Sequence, residues 1–309
     1  MNAGPATDAS RAAHSGRVRP RAASRVAVPL SWGNASAAIV SALGTPQLPR
    51  LLVDAAAVLV PFEYCVMFVY RGRANPIRIY DSLPVPLSRA GLDNYTRSTY
   101  VLNPFYAAYL AGLRSGVYRM HDLAPDAFFE QEAIGGVQAH RTASEEIGYL
   151  TDGWPAGREE LCIALTLPHG ECAEMALSQP VARGGFPADA IARLTPVIPF
   201  LEAAFRHWWQ LTRPARMTPS PDTSTNDAFQ TFGGKLLSPR ERQLAQLLLR
   251  GHSTVSIALQ LGISATTVKT HRKNLYAKLG IATQFELFSR FLDWLDVCRR
   301  GAEYPPAGG

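Results

Sequence analysis

Lysine is missing from the first 234 residues of this 309-residue chain, although the whole carries 31 Lys and Arg. That stretch therefore contains no GxxxxGK[ST] loop, which excludes a phosphate-cradling ATP site of that kind. Cysteine is scarce too: Cys65, Cys162, Cys172 and Cys298, with no CxxC and no signal-type apolar segment ahead of them. This usage excludes a disulfide-built scaffold and fits a reducing cytoplasm. Every apolar run is broken by Arg, Asp, Glu or Pro before the ~20 residues of a membrane span, so no membrane partner is expected. The closest approach to a metal motif is Cys162 and Cys172 with His169 between them, in "ELCIALTLPHGECAEMALSQ". A hairpin turning at His169-Gly170 sets Leu167 opposite Cys172 and gives the two thiols opposite faces of the sheet. Neither a metal, a disulfide nor a cofactor is expected. Among the seven histidines only His121-Asp122 are adjacent, no triad can be assembled, and the chain reads as a non-enzyme.

At 47% hydrophobic and 18% charged residues, the composition is that of a globular protein long enough for two cores. Its net charge of +6 is unevenly spread. Residues 1–30 carry five Arg and one Asp, residues 31–234 carry 15 basic and 19 acidic groups, and residues 235–300 carry 11 basic and 4 acidic. The basic excess thus sits mainly at the C-terminal end, where nucleic-acid phosphates are the natural partner.

Residues 1–30, Ala- and Arg-rich without apolar periodicity, read as a disordered tail; an early start codon and a transit peptide are the other readings of that stretch. Two apolar-periodic helices are expected from Ser36 to about Phe62. "YCVMFVYRG" and "PIRIYDS" read as a β-hairpin around residues 72–75. The stretch from Leu87 to Leu150 is mostly helical in pattern, with a strand at Gly116 to His121. After the hairpin holding Cys162 and Cys172, Phe186 to Leu211 forms a long helix that Pro196 and Pro199 bend. Strands bracketed by helices give an α+β domain with an antiparallel sheet over residues 31–213. A Pro/Ser/Thr-rich linker follows over 214–236, then an all-α domain of four helices over 237–298 and an unstructured tail over 299–309.

The four C-terminal helices announce themselves by their caps. Ser238-Pro239-Arg240-Glu241 is a capping box with Pro at the first helical position. Leu244, Leu247 and Leu248 supply its apolar stripe, and Gly251 ends it. Ser253 caps a short second helix that turns Ile257, Ala258 and Leu261 inward. Gly262-Ile263-Ser264 makes a tight turn into the third, and Thr283 with Glu286 opens the fourth. The third, "SATTVKTHRKNLYAKLG", holds Val268, Leu275 and Leu279 on one side and Lys269, Thr270, Lys273 and Asn274 on the other. Two short helices joined by a glycine turn, the second basic on its outer face, form a helix-turn-helix.

The segment "LSPRERQLAQLLLRGHSTVSIALQLGISATTVKTHRKNLYAKLGI", Leu237 to Ile281, resembles the LuxR-type (NarL/FixJ-type) DNA-binding domain, matching LSPRE, Arg250-Gly251, Ile257-Ala258, TVKTH and KLG without a gap. The resemblance implies a transcriptional regulator that sends the third helix into the major groove of double-stranded DNA. Lys269, Thr270 and Lys273 would then face base edges, where long amines reach guanine acceptors. Thr266, Thr267 and Asn274 are expected at phosphates, and Arg272, where the family usually has an apolar residue, either joins them or turns to a carboxylate. His271 faces the core side. On the fourth helix Leu287, Phe291 and Leu295 exceed what a small three-helix core can bury, so they are expected to pair two copies into a homodimer on an inverted-repeat operator.

Many members of that family carry a phosphorylated receiver domain, which needs a lysine; residues 1–234 have none, so a receiver is excluded. The front region instead resembles the GAF-like (GAF/PAS-like) sensor halves of stand-alone LuxR-type regulators, through "NYTRSTYVLNPFYAAYLAGLRSGVYRMHDLAPDAFF", Asn94 to Phe129. That implies a small-molecule effector or a partner protein as input. In autoinducer receptors a Tyr precedes an Asp-Pro pair, and here Tyr95 precedes Asn103-Pro104, so an acyl-homoserine lactone is an alternative ligand, although the Trp residues of those receptors are missing. Tyr95, Asn103 and Tyr106 are the pocket candidates; Tyr95, Tyr100, Phe105, Tyr106 and Tyr109 read either as pocket lining or as core at helical spacing. In the competing class, an enzyme or sensor uses its helix-turn-helix for protein contacts alone.

Overall fold

A computed structural model describes residues 30–83, 87–126, 158–213 and 225–300. The expectations for the tail over 1–29, for 127–157 and for the last nine residues lie outside the described residues. The chain opens with helices α1 (Leu30–Ser41) and α2 (Leu48–Leu59). α2 forms because Leu48, Leu52, Ala55, Ala56 and Leu59 line one face and Pro49 sits harmlessly in its first turn. Strands β1 (Tyr64–Tyr70) and β2 (Ile77–Asp81) follow as the expected hairpin, then α3 (Leu87–Arg97), a 3₁₀ turn (Thr99–Leu102), α4 (Pro104–Leu110), β3 (Gly116–Arg119) and the single turn α5 (Met120–Leu123). Strands β4 (Arg158–Thr166) and β5 (Cys172–Pro180) complete a five-stranded antiparallel sheet in the order β2-β1-β5-β4-β3.

The pleat divides the sheet between two cores. Cys65, Met67, Val69, Leu161, Ile163, Leu165, Ala173, Met175 and Leu177 pack under α1, α2 and the helices after β5. Val66, Phe68, Tyr70, Cys162, Ala164 and Cys172 pack on the other side with Tyr95, Tyr100, Phe105 and Tyr106. The expected helix over 186–211 is divided into α6 (Ala190–Leu194), a 3₁₀ turn (Thr195–Val197) and α7 (Ile198–Thr212). Pro196 lies in that turn and Pro199 in the first turn of α7, where a missing N–H costs nothing.

The β4–β5 turn corrects the expected register. Thr166, not Leu167, pairs with Cys172, and the Leu167 N–H donates to the Glu171 carbonyl at 2.9 Å. The extra length is a turn over Pro168–Gly170 in which His169 takes φ 63°, a conformation rare for a non-glycine residue. Cys162 and Cys172 therefore share one face. With Cys162 level with Ala176 and Cys172 level with Thr166, they stand four residues apart along the strand, roughly 13 Å, which keeps them unbridged.

The expected linker contains a helix, α8 (Thr225–Thr231), which buries Thr225, Asn226, Ala228 and Phe229. After it come α9 (Pro239–Leu249), α10 (Thr254–Leu261), α11 (Ala265–Leu279) and α12 (Gln284–Arg300). α12 runs on through Arg299 and Arg300, which the sequence placed in the tail. Phe229 of α8 and Phe232 just after it stand edge-on to Phe291 at 5.4 and 5.5 Å. Leu287, Phe291 and Leu295 are thereby 0%, 0% and 2% exposed. They are covered within one chain by α8 rather than left open for a second copy, which weighs against their expected role in dimerisation. The addition of α8 supplies the apolar area that three helices alone lacked.

The second core continues from the sheet into the C-terminal helices through α8. The Thr225 hydroxyl donates to the Arg97 carbonyl at 2.5 Å, Asn226 Nδ2 to the Tyr106 hydroxyl at 2.7 Å, and Trp294 Nε1 to the Ala228 carbonyl at 2.7 Å. Asp126 accepts the Ser253 N–H at 2.9 Å and also the Ser253 hydroxyl.

Candidate nucleic-acid interface

The helix-turn-helix is held by local chemistry that is all in place. Ser238 Oγ accepts the Glu241 N–H while Glu241 Oε2 accepts the Ser238 N–H at 2.8 Å, closing the capping box of α9. Glu241 is buried, and the same oxygen accepts from Lys278 Nζ of α11 at 2.7 Å, which ties the first helix to the third. Those hydrogen bonds, Lys278 first, pull its carboxyl down to about 2. Ser253 caps α10, Gly262 takes φ 64° to end it, and Ser264 Oγ accepts the Thr267 N–H at 3.0 Å to start α11. Only a residue tolerant of the left-handed region can make that turn, which aims α11 across α10.

On α11, Val268, Leu275 and Leu279 are buried with Leu244, Leu248 and Ile257. Lys269, Thr270, Lys273 and Asn274 are exposed on the opposite side, as is Thr266 near the N-terminus. Lys269 and Lys273 are one turn apart, so their amines stand side by side on the outer face. Lys278 is the one α11 lysine committed inward, and the Glu241 charge is spent on it rather than on the outer pair. Thr267 is half-buried and its hydroxyl lies 2.8 Å from Ser264 Oγ, within the cap. The Thr270 hydroxyl donates back to the Thr266 carbonyl at 3.1 Å, leaving its methyl and an oxygen lone pair outward. Arg272 Nε donates to the Tyr276 hydroxyl at 3.1 Å, and the guanidinium lies 5.2 Å from that ring's centroid. His271 is half-buried.

In the front half, the pocket candidates come together but are occupied by one another. Tyr95 and Asn103 are each 5% exposed and Tyr106 is fully buried. Asn103 Oδ1 caps α4 by accepting the Phe105 N–H at 2.7 Å, and Nδ2 donates to the Tyr95 hydroxyl at 2.8 Å. The Tyr95 hydroxyl lies 2.5 Å from that of Tyr70, which donates to Glu174 Oε2 at 2.6 Å. Burial, then the Glu174 charge, pushes the Tyr70 phenol far up, so it stays a donor. Tyr106 points elsewhere, to Asn226 of α8, and so serves the junction with the C-terminal helices. Tyr70 and Glu174 escaped the sequence reading; the visible signal was a charged residue at an inward position of the apolar strand "CAEMALSQ".

Comparison with known proteins places the C-terminal helices in a family. Residues 235–290 match the model of the family described as bacterial regulatory proteins, luxR family. A helix-turn-helix-type transcriptional regulator from Aeromonas salmonicida is 34% identical over 200 residues, 62% of this chain and 94% of that protein. The transcriptional regulatory protein MctR of Rhizobium johnstonii is 48% identical over 61 residues, 20% of this chain and 28% of its own. Among solved structures, the ligand-binding domain of VqsR from Pseudomonas aeruginosa has a TM-score of 0.44 and 17% identity, over 59% of this chain and 99% of that one. With a relative matched over nearly its full length and the helix-turn-helix formed at the family's own residues, this chain belongs to the luxR family of bacterial transcriptional regulators.

Proposed function

We propose that this protein is a cytoplasmic, non-enzymatic regulator whose residues 31–213 sense a small molecule or a partner and thereby control DNA reading by residues 237–298, across the joining segment 214–236. The observation that carries the DNA-reading part is the division of α11, with Val268, Leu275 and Leu279 buried and Lys269, Thr270 and Lys273 exposed together. In this reading those three contact base edges, Thr266 and Asn274 contact phosphates, and Thr267 and Arg272 support the helix from its flanks through Ser264 and Tyr276. Regulation is supported by the junction at α8, because Asn226 touches Tyr106 directly and Tyr106 packs against Tyr70 at a ring-centroid distance of 5.7 Å. A change around Tyr70 and Tyr95 is thus one side chain away from the element that covers α12. Two copies are proposed to bind an inverted repeat, since a two-fold operator mirrors a two-fold dimer.

The test is a titration of the full chain on the promoter of its neighbouring gene at several salt concentrations, with footprinting. The expected result is a linear fall of log K with log salt and symmetric protection of an inverted repeat. Salt-independent binding, or one copy on one asymmetric half-site, contradicts the reading.

A further inference from the structure

We propose that Glu160, Cys162 and Glu174 form a binding site for a borderline-soft divalent transition-metal ion, Zn²⁺ foremost. Their ligating atoms, a carboxylate oxygen from each glutamate and Cys162 Sγ, all lie within 4.8 Å of one another. The sheet creates this juxtaposition. Glu160 and Cys162 are two apart on β4 and so share a face, while Glu174 on β5 pairs with Ala164, on the diagonal from Cys162. Both strands lie in the interior of the five-stranded order, a rigid base for a ligand set.

A second observation points to a ligand. Glu174 is 1% exposed, yet its Oε1 has no hydrogen-bond partner, while Oε2 accepts from the Tyr70 hydroxyl. The donors run in one direction, from Asn103 Nδ2 to Tyr95 to Tyr70 to Glu174, and all favour a negative charge at that carboxylate. A buried anion so prepared on one oxygen and bare on the other lacks only a cation. This is also the arrangement of an outer shell that orients a metal-ligating carboxylate. A divalent ion held by all three ligands would replace the mutual repulsion of the two carboxylates by attraction.

The donor set selects the ion. A thiolate with two carboxylates suits Zn²⁺, Co²⁺ or Fe²⁺, whereas Mg²⁺ and Ca²⁺ require oxygen ligands throughout. Three protein ligands leave at least one coordination position open. Glu160, only half-buried, is the side from which an ion enters. Cys65 belongs to the opposite core and Cys172 lies four residues further along the sheet, so neither substitutes for Cys162.

The test is a Co²⁺ titration of the full chain after treatment with chelator, read by absorbance. One equivalent should give a thiolate-to-Co²⁺ charge-transfer band that Zn²⁺ removes and excess Mg²⁺ or Ca²⁺ does not. The band should vanish in Cys162→Ser and persist in Cys65→Ser, and Tyr70→Phe should weaken Co²⁺ affinity roughly ten- to a hundredfold. Circular dichroism confirms that each variant is folded; if Cys162→Ser is not, Glu160→Gln, at the half-buried ligand, takes its place and should weaken Co²⁺ binding at least as much as Tyr70→Phe. Absence of a band in the wild type, a band that survives Cys162→Ser in folded protein, or unchanged affinity in Glu160→Gln overturns the proposal.

Discussion

Two glutamates, one in each half of the molecule, are almost equally buried and have been driven in opposite directions. Glu241, 4% exposed, closes a capping box and receives Lys278, and its carboxyl falls to about 2. Glu174, 1% exposed, receives a tyrosine hydroxyl on one oxygen and nothing on the other, and its carboxyl rises to about 7. At Glu174, on the interior strand β5, desolvation is the largest influence, whereas at Glu241 the hydrogen bond from Lys278 outweighs it. Glu241 finds its donors, the Ser238 N–H and Lys278, within the helix-turn-helix segment. Glu174 keeps one oxygen without a hydrogen-bond partner.

The largest expected effect concerns how the C-terminal domain is closed. Phe291→Ala removes a fully buried ring that meets Phe229 and Phe232, and should cost about 3–5 kcal/mol, independent of protein concentration. Denaturant unfolding at two concentrations checks it. A small loss, or one that varies with concentration, would return Phe291 to a dimer interface.

The same Glu→Gln exchange should then have opposite consequences in the two halves. Glu241→Gln loses a charge-assisted contact to Lys278 and weakens the cap, at a cost of about 1–2 kcal/mol at pH 7, the lower part of the range because Lys278 regains water. The carboxyl of folded Glu241 lies below its ordinary 4.5, so its contribution is fully present above that value and is lost as pH falls towards about 2. The difference between wild type and variant should therefore shrink across that window, which acid titrations of both proteins would show. Glu174→Gln, in the presence of chelator, should stay within about 1 kcal/mol of wild type and lie on the stabilising side at pH 8, where a buried charge gives way to a neutral amide. Losses of equal size at both positions would erase the distinction between the halves.

The C-terminal domain was legible because its signals are local. Ser238 with Glu241, Ser253, Gly262 and Ser264 each act within a few residues, and every one of these caps forms. The hairpin of β1 and β2 was legible for the same reason, whereas the prolines divided a helix that was expected only to bend. What escaped depends on distant partners or unusual backbone. His169 at positive φ lengthened the β4–β5 turn by a step and moved Cys172 to the face of Cys162. α8 hid in a Pro/Ser/Thr-rich stretch, since a helix of seven residues has little periodicity of its own and is held by Phe229 against Phe291. Without it, Leu287, Phe291 and Leu295 looked spare. The run from Asn103 to Glu174 gathers residues from three elements and the cap of a fourth, and no spacing in the sequence reports it.

If α11 reads sequence rather than merely anchoring the protein to phosphate, the lysines of its outer face carry the preference for the specific site. The direct measurement is the ratio of specific to nonspecific DNA affinity, at one fixed salt concentration, for wild type, Lys269→Ala and Lys273→Ala. Each substitution should cost about 1–3 kcal/mol at the specific site and relax preference at one or two base pairs, so the ratio should fall. An unchanged ratio, with both affinities reduced alike, would make these lysines electrostatic anchors and contradict the account.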